Sequence, residues 1–158
     1  MNTECMNKIM LRCIYLARKN VNTDQYPIAA IVTDSEGIII SETISNLRKE
    51  FDPTMHPEMA AIRSSSKKIQ SRFLTDCYLF TTLEPCPMCT SAAIWARMKG
   101  IVFGAFQEDA LNYAKTHPSA KLSWRQIEIK SRQIIEKSTC DIELYEGILR
   151  DECIRLFN

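Results

Sequence analysis

Apolar and polar positions alternate with two different periods along this chain, and each change of period marks an element. Between residues 5 and 19, Met6, Ile9, Met10, Cys13, Leu16 and Ala17 recur at helical spacing with Arg18 and Lys19 at the end, which predicts an amphipathic helix. Pro27 closes the next loop. Residues 28–34 and 38–44 are β-prone runs joined by the turn-like Asp34-Ser35-Glu36-Gly37, so they predict a hairpin. A polar loop from Ser45 to Thr54 follows. From Pro57 to residue 69 the pattern is helical, and proline in a first turn forfeits no intrahelical hydrogen bond. Residues 77–83 read as a buried strand, 85–100 as a second helix ended by Gly100, and 101–106 as another apolar strand. A short strand at 142–145 and an amphipathic helix at 148–157 complete the series. The stretch 107–140 is polar, contains Pro118 and is helical only in part.

Strands that alternate with helices after an initial hairpin indicate an α/β fold: a three-layer αβα sandwich around a mixed sheet of about five strands. The length of 158 residues, 46% of them hydrophobic, suits a single domain over residues 1–158 with one sizeable core. No apolar run approaches the roughly 20 residues of a membrane span, and the N-terminus lacks the apolar core and cleavage site of an export signal. A net charge of +1 exerts no global pull on nucleic acid or anionic lipid. The seven cysteines are an odd number without a repeating framework, which points to a reducing cytoplasm and away from a disulfide scaffold. A close pair of them therefore invites a metal or redox reading.

Two motifs at the starts of the two central helices carry the chemistry: His56-Pro57-Glu58 and Pro85-Cys86-Pro87-Met88-Cys89. A hydrolytic zinc site takes three nitrogen or sulfur ligands and keeps a fourth position for water, and His56, Cys86 and Cys89 supply that set. Cys86 and Cys89, three apart, lie on one face of a helix, in a first turn whose free N–H groups favour thiolates. Glu58, two residues beyond the histidine, is placed to move protons at the attacking water. The C-x-x-C pair alone would also admit a thioredoxin-like redox site, which leaves His56, Glu58 and Asn46 unexplained. A structural zinc site needs a fourth protein ligand; His117 stands in a polar loop, and the remaining cysteines stand singly, Cys77 and Cys153 in core-like patterns.

The joint pattern H-x-E and P-C-x-x-C resembles the signature of the cytidine deaminase-like superfamily. Asn46 with Asp52-Pro53-Thr54, then Arg63, Thr82-Leu83-Glu84, Trp95-Ala96-Arg97 and Val102-Phe103-Gly104-Ala105 extend the likeness to its guanine deaminase and tRNA adenosine deaminase branch. The likeness covers residues 5–106 and resumes near Glu146-Gly147-Ile148-Leu149. It implies a hydrolase acting on C–N bonds of cyclic amidines, with Zn2+ as cofactor and ammonia as product. It also implies that Asn46 bonds the base and that backbone groups at Leu83 and Glu84 flank the leaving amine. The apolar residues Ala92, Ala93, Trp95 and Ala96 predict a homodimer, which the likeness to dimeric deaminases supports. Two departures concern the substrate. Pro57 stands where relatives have a residue with a free N–H, and Ile28 offers an apolar wall where guanine deaminases have an aromatic. With near-neutral charge, no basic helix at the C-terminus and a stretch 107–140 long enough to close over the pocket as a lid, the pattern favours a small-molecule heterocycle such as guanine. The alternatives are tRNA adenosine-to-inosine editing, with RNA as partner, and a catalytically silent zinc-containing binding module.

Overall fold

The computed structural model describes residues 1–118 and 120–157. The expected domain of 1–158 and the stretch 107–140 also take in Asn158 and Ser119, which lie outside the described residues. A five-stranded mixed sheet with strand order β2-β1-β3-β4-β5 organises the chain. The strands are β1 (Ala29–Asp34), β2 (Ile39–Ile44), β3 (Cys77–Leu83), β4 (Gly100–Ala105) and β5 (Glu143–Tyr145). β1 is antiparallel to β2 and β3, whereas β3, β4 and β5 run parallel. The turn at Asp34 to Gly37 joins β1 and β2 into the expected hairpin, its Asp34 carboxylate accepting from the N–H groups of Glu36 and Ile38.

Strand residues split cleanly between two apolar layers because side chains alternate across a pleated sheet. Ala29, Ile31, Tyr78, Phe80 and Val102 face α1 (Thr3–Ala17) and α6 (Arg150–Ile154). Ala30, Val32, Leu79 and Ile101 face α2 (Pro57–Ile69) and α3 (Pro87–Trp95), with Ile135 of α5 (Ser131–Glu136) packed alongside. Both faces of the sheet are thus covered, which explains why β3 is buried along its whole length. This is the three-layer αβα sandwich the sequence predicts.

Several boundaries differ from the sequence pattern. α3 begins at Pro87, two residues after Pro85, because Cys86 takes the extended N-cap conformation and its carbonyl accepts from Thr90 N–H. It ends at Trp95, where Arg97 turns left-handed at φ 52° and Met98 N–H bonds back to Ala93. Gly100 therefore does not end a helix. It opens β4 at a point where a Cβ would come within 2.6 Å of the Tyr78 ring. The terminal helix shrinks to α6, preceded by Leu149 in a left-handed conformation, and Phe157 packs instead against Trp124, with ring centroids 4.6 Å apart. In the illegible stretch, α4 (Gln107–Thr116) and α5 flank an irregular segment carrying Trp124. No helix among the described residues is long and apolar enough to cross a membrane.

Candidate active site

The two sequence motifs fold into the same local device. His56 is the N-cap of α2 and Cys86 the N-cap of α3, each followed by proline at the first helical position. Proline there pre-sets φ and needs no N–H partner, so each cap residue leaves its helix at a fixed angle. Thr43 Oγ1 donates to the Pro57 carbonyl at 2.7 Å, holding the start of α2 against β2. The two helix starts meet at the carboxyl end of β3, bringing together residues 30 to 33 positions apart in sequence.

His56 Nδ1 lies 3.7 Å from Cys86 Sγ and 3.6 Å from Cys89 Sγ, and the two sulfurs are 3.6 Å apart. Zinc bonds of about 2.3 Å to sulfur and about 2.0 Å to nitrogen, at tetrahedral angles, place ligand atoms roughly 3.6–3.8 Å from one another. The donor triangle therefore has the size of one face of a zinc tetrahedron, and its nitrogen and sulfur chemistry suits that ion. These three residues form the metal-capable cluster found among the described residues. A hydrogen bond shared with Cys89 and the neighbouring His56 draw the Cys86 thiol down to about 4. The same bond, burial and the nearby Glu58 push the Cys89 thiol up, while Cys86 raises the pKa of His56. This is the imbalance of a cluster crowded with acceptors, and a divalent cation between them favours both thiolates.

Glu58, only 4% exposed, sits against this triangle with Oε2 3.7 Å from Cys89 Sγ. Thr81 Oγ1 donates to its other oxygen at 3.1 Å, fixing the carboxylate from the strand side. Burial raises the carboxyl's pKa and His56 opposes that shift. Nothing in the sequence pattern singled out Thr81, since it stands inside an apolar strand run.

A cavity of about 240 Å³ opens beside these groups. Of the residues expected at the substrate, Ile28, Leu83 and Glu84 line it, with Pro57 and the motif residues. Asn46 is set differently: its side-chain amide donates to Glu50 at 2.8 Å, and its neighbours Ser45 and Leu47 reach the cavity. Glu84 has a part beyond that assigned from sequence. Its carboxylate accepts from the backbone N–H groups of Gln107 and Ser131, at 3.1 and 3.0 Å, and so ties down the starts of α4 and α5. Gln107 in turn donates to the Ile127 carbonyl at 2.7 Å. Between these anchors the chain lays Trp124, Arg125 and Gln126 along the cavity, and Trp124 packs edge-on against Tyr26 at 5.2 Å. Three residues of the stretch 107–140 thus line the cavity. A single tryptophan in a polar stretch was the one available hint of it.

Residues 3–105 match the model of the cytidine and deoxycytidylate deaminase zinc-binding region. The guanine deaminase of Bacillus subtilis is 40% identical over 100 residues, 63% of this chain and 64% of that enzyme. A tRNA-specific adenosine deaminase of Buchnera aphidicola subsp. Schizaphis graminum is 32% identical over 151 residues, 96% of this chain and 88% of that one. The chain also matches the tRNA(Ile)-lysidine synthase of Deinococcus radiodurans, 36% identical over 100 residues, but spans only 17% of its length. The solved structure of a guanine deaminase from Nitrosomonas europaea has the same fold, with a TM-score of 0.79 over 96% of this chain and 81% of that one at 23% identity. The matched region spans both helix starts and all three donor residues, and its zinc-binding description agrees with the size and chemistry of the donor triangle. The chain belongs to the cytidine and deoxycytidylate deaminase zinc-binding family.

Proposed function

We propose that this protein catalyses hydrolytic deamination of a compact aminated heterocycle, guanine or a close relative of it, releasing ammonia. The observation that carries the proposal is a buried carboxylate, Glu58, clamped by Thr81 on one side and facing the His56, Cys86 and Cys89 triangle on the other, at the edge of a cavity of 240 Å³. His56, Cys86 and Cys89 would hold zinc. When bound, that ion supplies the Lewis acidity that makes water nucleophilic near neutral pH. Glu58 takes the proton of the attacking water at Oε2 and passes it to a ring nitrogen. It then protonates the departing amine, serving as base and acid in turn. Ile28 and Leu83 wall the heterocycle, and Glu84 supports the chain segment that covers it and excludes water.

The small-molecule reading draws on the cavity's size, its cover from Trp124 to Gln126 and the net charge of +1. Editing of tRNA is the second reading, favoured by the nearly full-length likeness to the Buchnera enzyme. Ammonia release from guanine, adenine, cytosine, their nucleosides and a tRNA anticodon stem-loop separates the two. A closed small-molecule site should be nearly indifferent to salt between roughly 50 and 200 mM, whereas phosphate-gripping activity falls steeply. If the stem-loop wins by orders of magnitude and loses that advantage in salt, editing replaces the free-base reading. Silence on every substrate with zinc bound would leave a binding module.

We further propose one domain over residues 1–158, since α1 and α6, from the two ends, pack on one face of one sheet. A homodimer in a reducing cytoplasm fits the exposed apolar surface and seven free cysteines. Trp95 is 82% exposed and, with Ala92 and Ile94, borders a broad groove across α2, α3 and α5. Ala96, though largely buried, also lines that groove, whereas Ala93 is fully buried within the chain. Light scattering at micromolar concentration should give twice the chain mass, reduced to one by Trp95→Glu. A monomeric mass for the unmodified protein would refute the dimer.

A further inference from the structure

Among the described residues, one buried side-chain polar atom has no hydrogen-bond partner: the hydroxyl of Ser45, in a residue only 1% exposed. Buried polar groups are nearly always paired, and leaving one unpaired costs about 1–3 kcal/mol, so such an exception calls for a reason. Ser45 lines the cavity that holds Glu58. It is the first residue after β2, and its backbone is fixed from both sides. Its N–H donates to the Ile28 carbonyl at 2.9 Å, and its carbonyl accepts from Asn20 Nδ2 at 2.8 Å. Asn20 is itself anchored to the Tyr26 carbonyl at 3.0 Å. The backbone that carries the hydroxyl is therefore held in place, although nothing in the chain bonds the hydroxyl itself.

Several other polar groups of the cavity are spoken for, although the Gln126 amide on its rim is free to take part. Pro53 and Pro57 bring no N–H. The Ile28 N–H donates to Tyr26 and the Glu84 N–H to Ala105, at 2.8 Å each. The Glu84 carboxylate serves Gln107 and Ser131, and the Tyr26 hydroxyl pairs with Ser123. Arg125 is exposed. A heterocycle that enters must find partners for its ring nitrogens and exocyclic groups or lose affinity, because polar atoms buried without bonds are costly on both sides.

From this inventory we infer that the Ser45 hydroxyl is a specificity-determining contact, bonding a ring nitrogen or exocyclic group of a purine-sized heterocycle held beside Glu58. The inference rests on the deaminase reading above for the identity of the ligand class. A hydroxyl donates and accepts, so it can serve a carbonyl or an unprotonated ring nitrogen, and it discriminates against an analogue with a C–H at that place.

The test pairs binding with turnover. In the Glu58→Gln background, which does not consume the ligand, calorimetry with 8-azaguanine compares proteins with and without Ser45→Ala. The Kd should rise about tenfold, the loss expected for one hydrogen bond in a closed site. In the otherwise unmodified protein, Ser45→Ala should raise KM for guanine similarly while kcat falls less. The melting temperature should hold or rise, since the substitution removes an unpaired buried hydroxyl. A structural role predicts the reverse, a lower Tm with unchanged Kd, and that result would overturn the inference. So would a Kd within twofold of the parent, or no binding of 8-azaguanine at all. Should the alanine variant not fold, Ser45→Cys keeps the volume with a much weaker donor and should shift Kd in the same direction. Ammonia release speaks separately. If 8-azaguanine binding depends on Ser45 while the unmodified protein, with zinc bound, releases no ammonia from any substrate of the screen, the deaminase reading fails and the contact stands.

Discussion

Glu58→Gln should bind zinc, keep its melting temperature and lose turnover by ~10²–10⁴-fold, the usual worth of a general acid–base group. The amide has nearly the volume of the carboxylate it replaces, and its oxygen can still accept from Thr81 Oγ1, which now fixes the side chain at 3.1 Å. What it cannot do is accept a proton from water and return it to the amine. Because the group acts on the transition state, the loss should fall on kcat and kcat/KM alike, with KM little changed. Thr81→Val provides the companion measurement. It leaves the carboxylate in place but removes the bond that aims it, so kcat should fall by roughly tenfold while metal content stays level. A Glu58→Gln variant with unimpaired kcat on the substrate that the ammonia screen identifies would remove Glu58 from the mechanism.

The parts of this site that could be read from the sequence are those in which a local rule and the tertiary contact coincide. Proline after His56 and after Cys86 signals a helix start, and a helix start is also where a cap residue can turn its side chain out to meet a partner. The sheet was legible because the β-prone run at 28–34 and the largely apolar runs at 77–83 and 101–106 follow from burial on both faces. Where several signals competed, the pattern misplaced boundaries. Pro85 and Pro87 both mark possible helix starts, and only the extended backbone of Cys86 decides between them. Gly100 looks like a helix end but answers a steric demand from Tyr78 on the neighbouring strand.

What could not be read was non-local. Nothing in the sequence pairs Glu84 with Gln107 and Ser131, respectively 23 and 47 residues away, or brings Trp124 onto Tyr26. The cover of the cavity depends on those pairings and carries no period of its own. Asn46 is a case in point. The likeness assigns it to the substrate; here its amide donates to Glu50, and the neighbouring Ser45, whose buried hydroxyl is unpaired, lines the cavity.

Removal of the metal should be felt by the fold as well as by the chemistry. His56 and the two cysteines come from α2 and α3, which otherwise meet at their starts through few bonds, so an ion shared by the three cross-links the two helix N-termini. Without it, two sulfurs and an imidazole are left within about 4 Å of one another, with the buried Glu58 3.7 Å from Cys89 Sγ and no cation to satisfy them. A ligand present at a thousand times its Kd stabilises by about 4 kcal/mol, and for a chain of this length that amounts to a fall of roughly 10 °C in Tm on its removal. Exhaustive chelation should therefore abolish turnover and lower Tm by about that amount, and stoichiometric zinc should restore both. Cys89→Ser should reproduce the chelated state permanently, with metal content falling from about one zinc per chain toward none. Cys77→Ala is the control: Cys77 is a buried core residue far along β3 from the donor triangle, so the variant should lose some Tm to a small cavity yet keep its full zinc. If Cys89→Ser retained stoichiometric zinc, or X-ray absorption showed four protein ligands in the unmodified protein, His56, Cys86 and Cys89 would not be the open three-ligand site that hydrolysis requires.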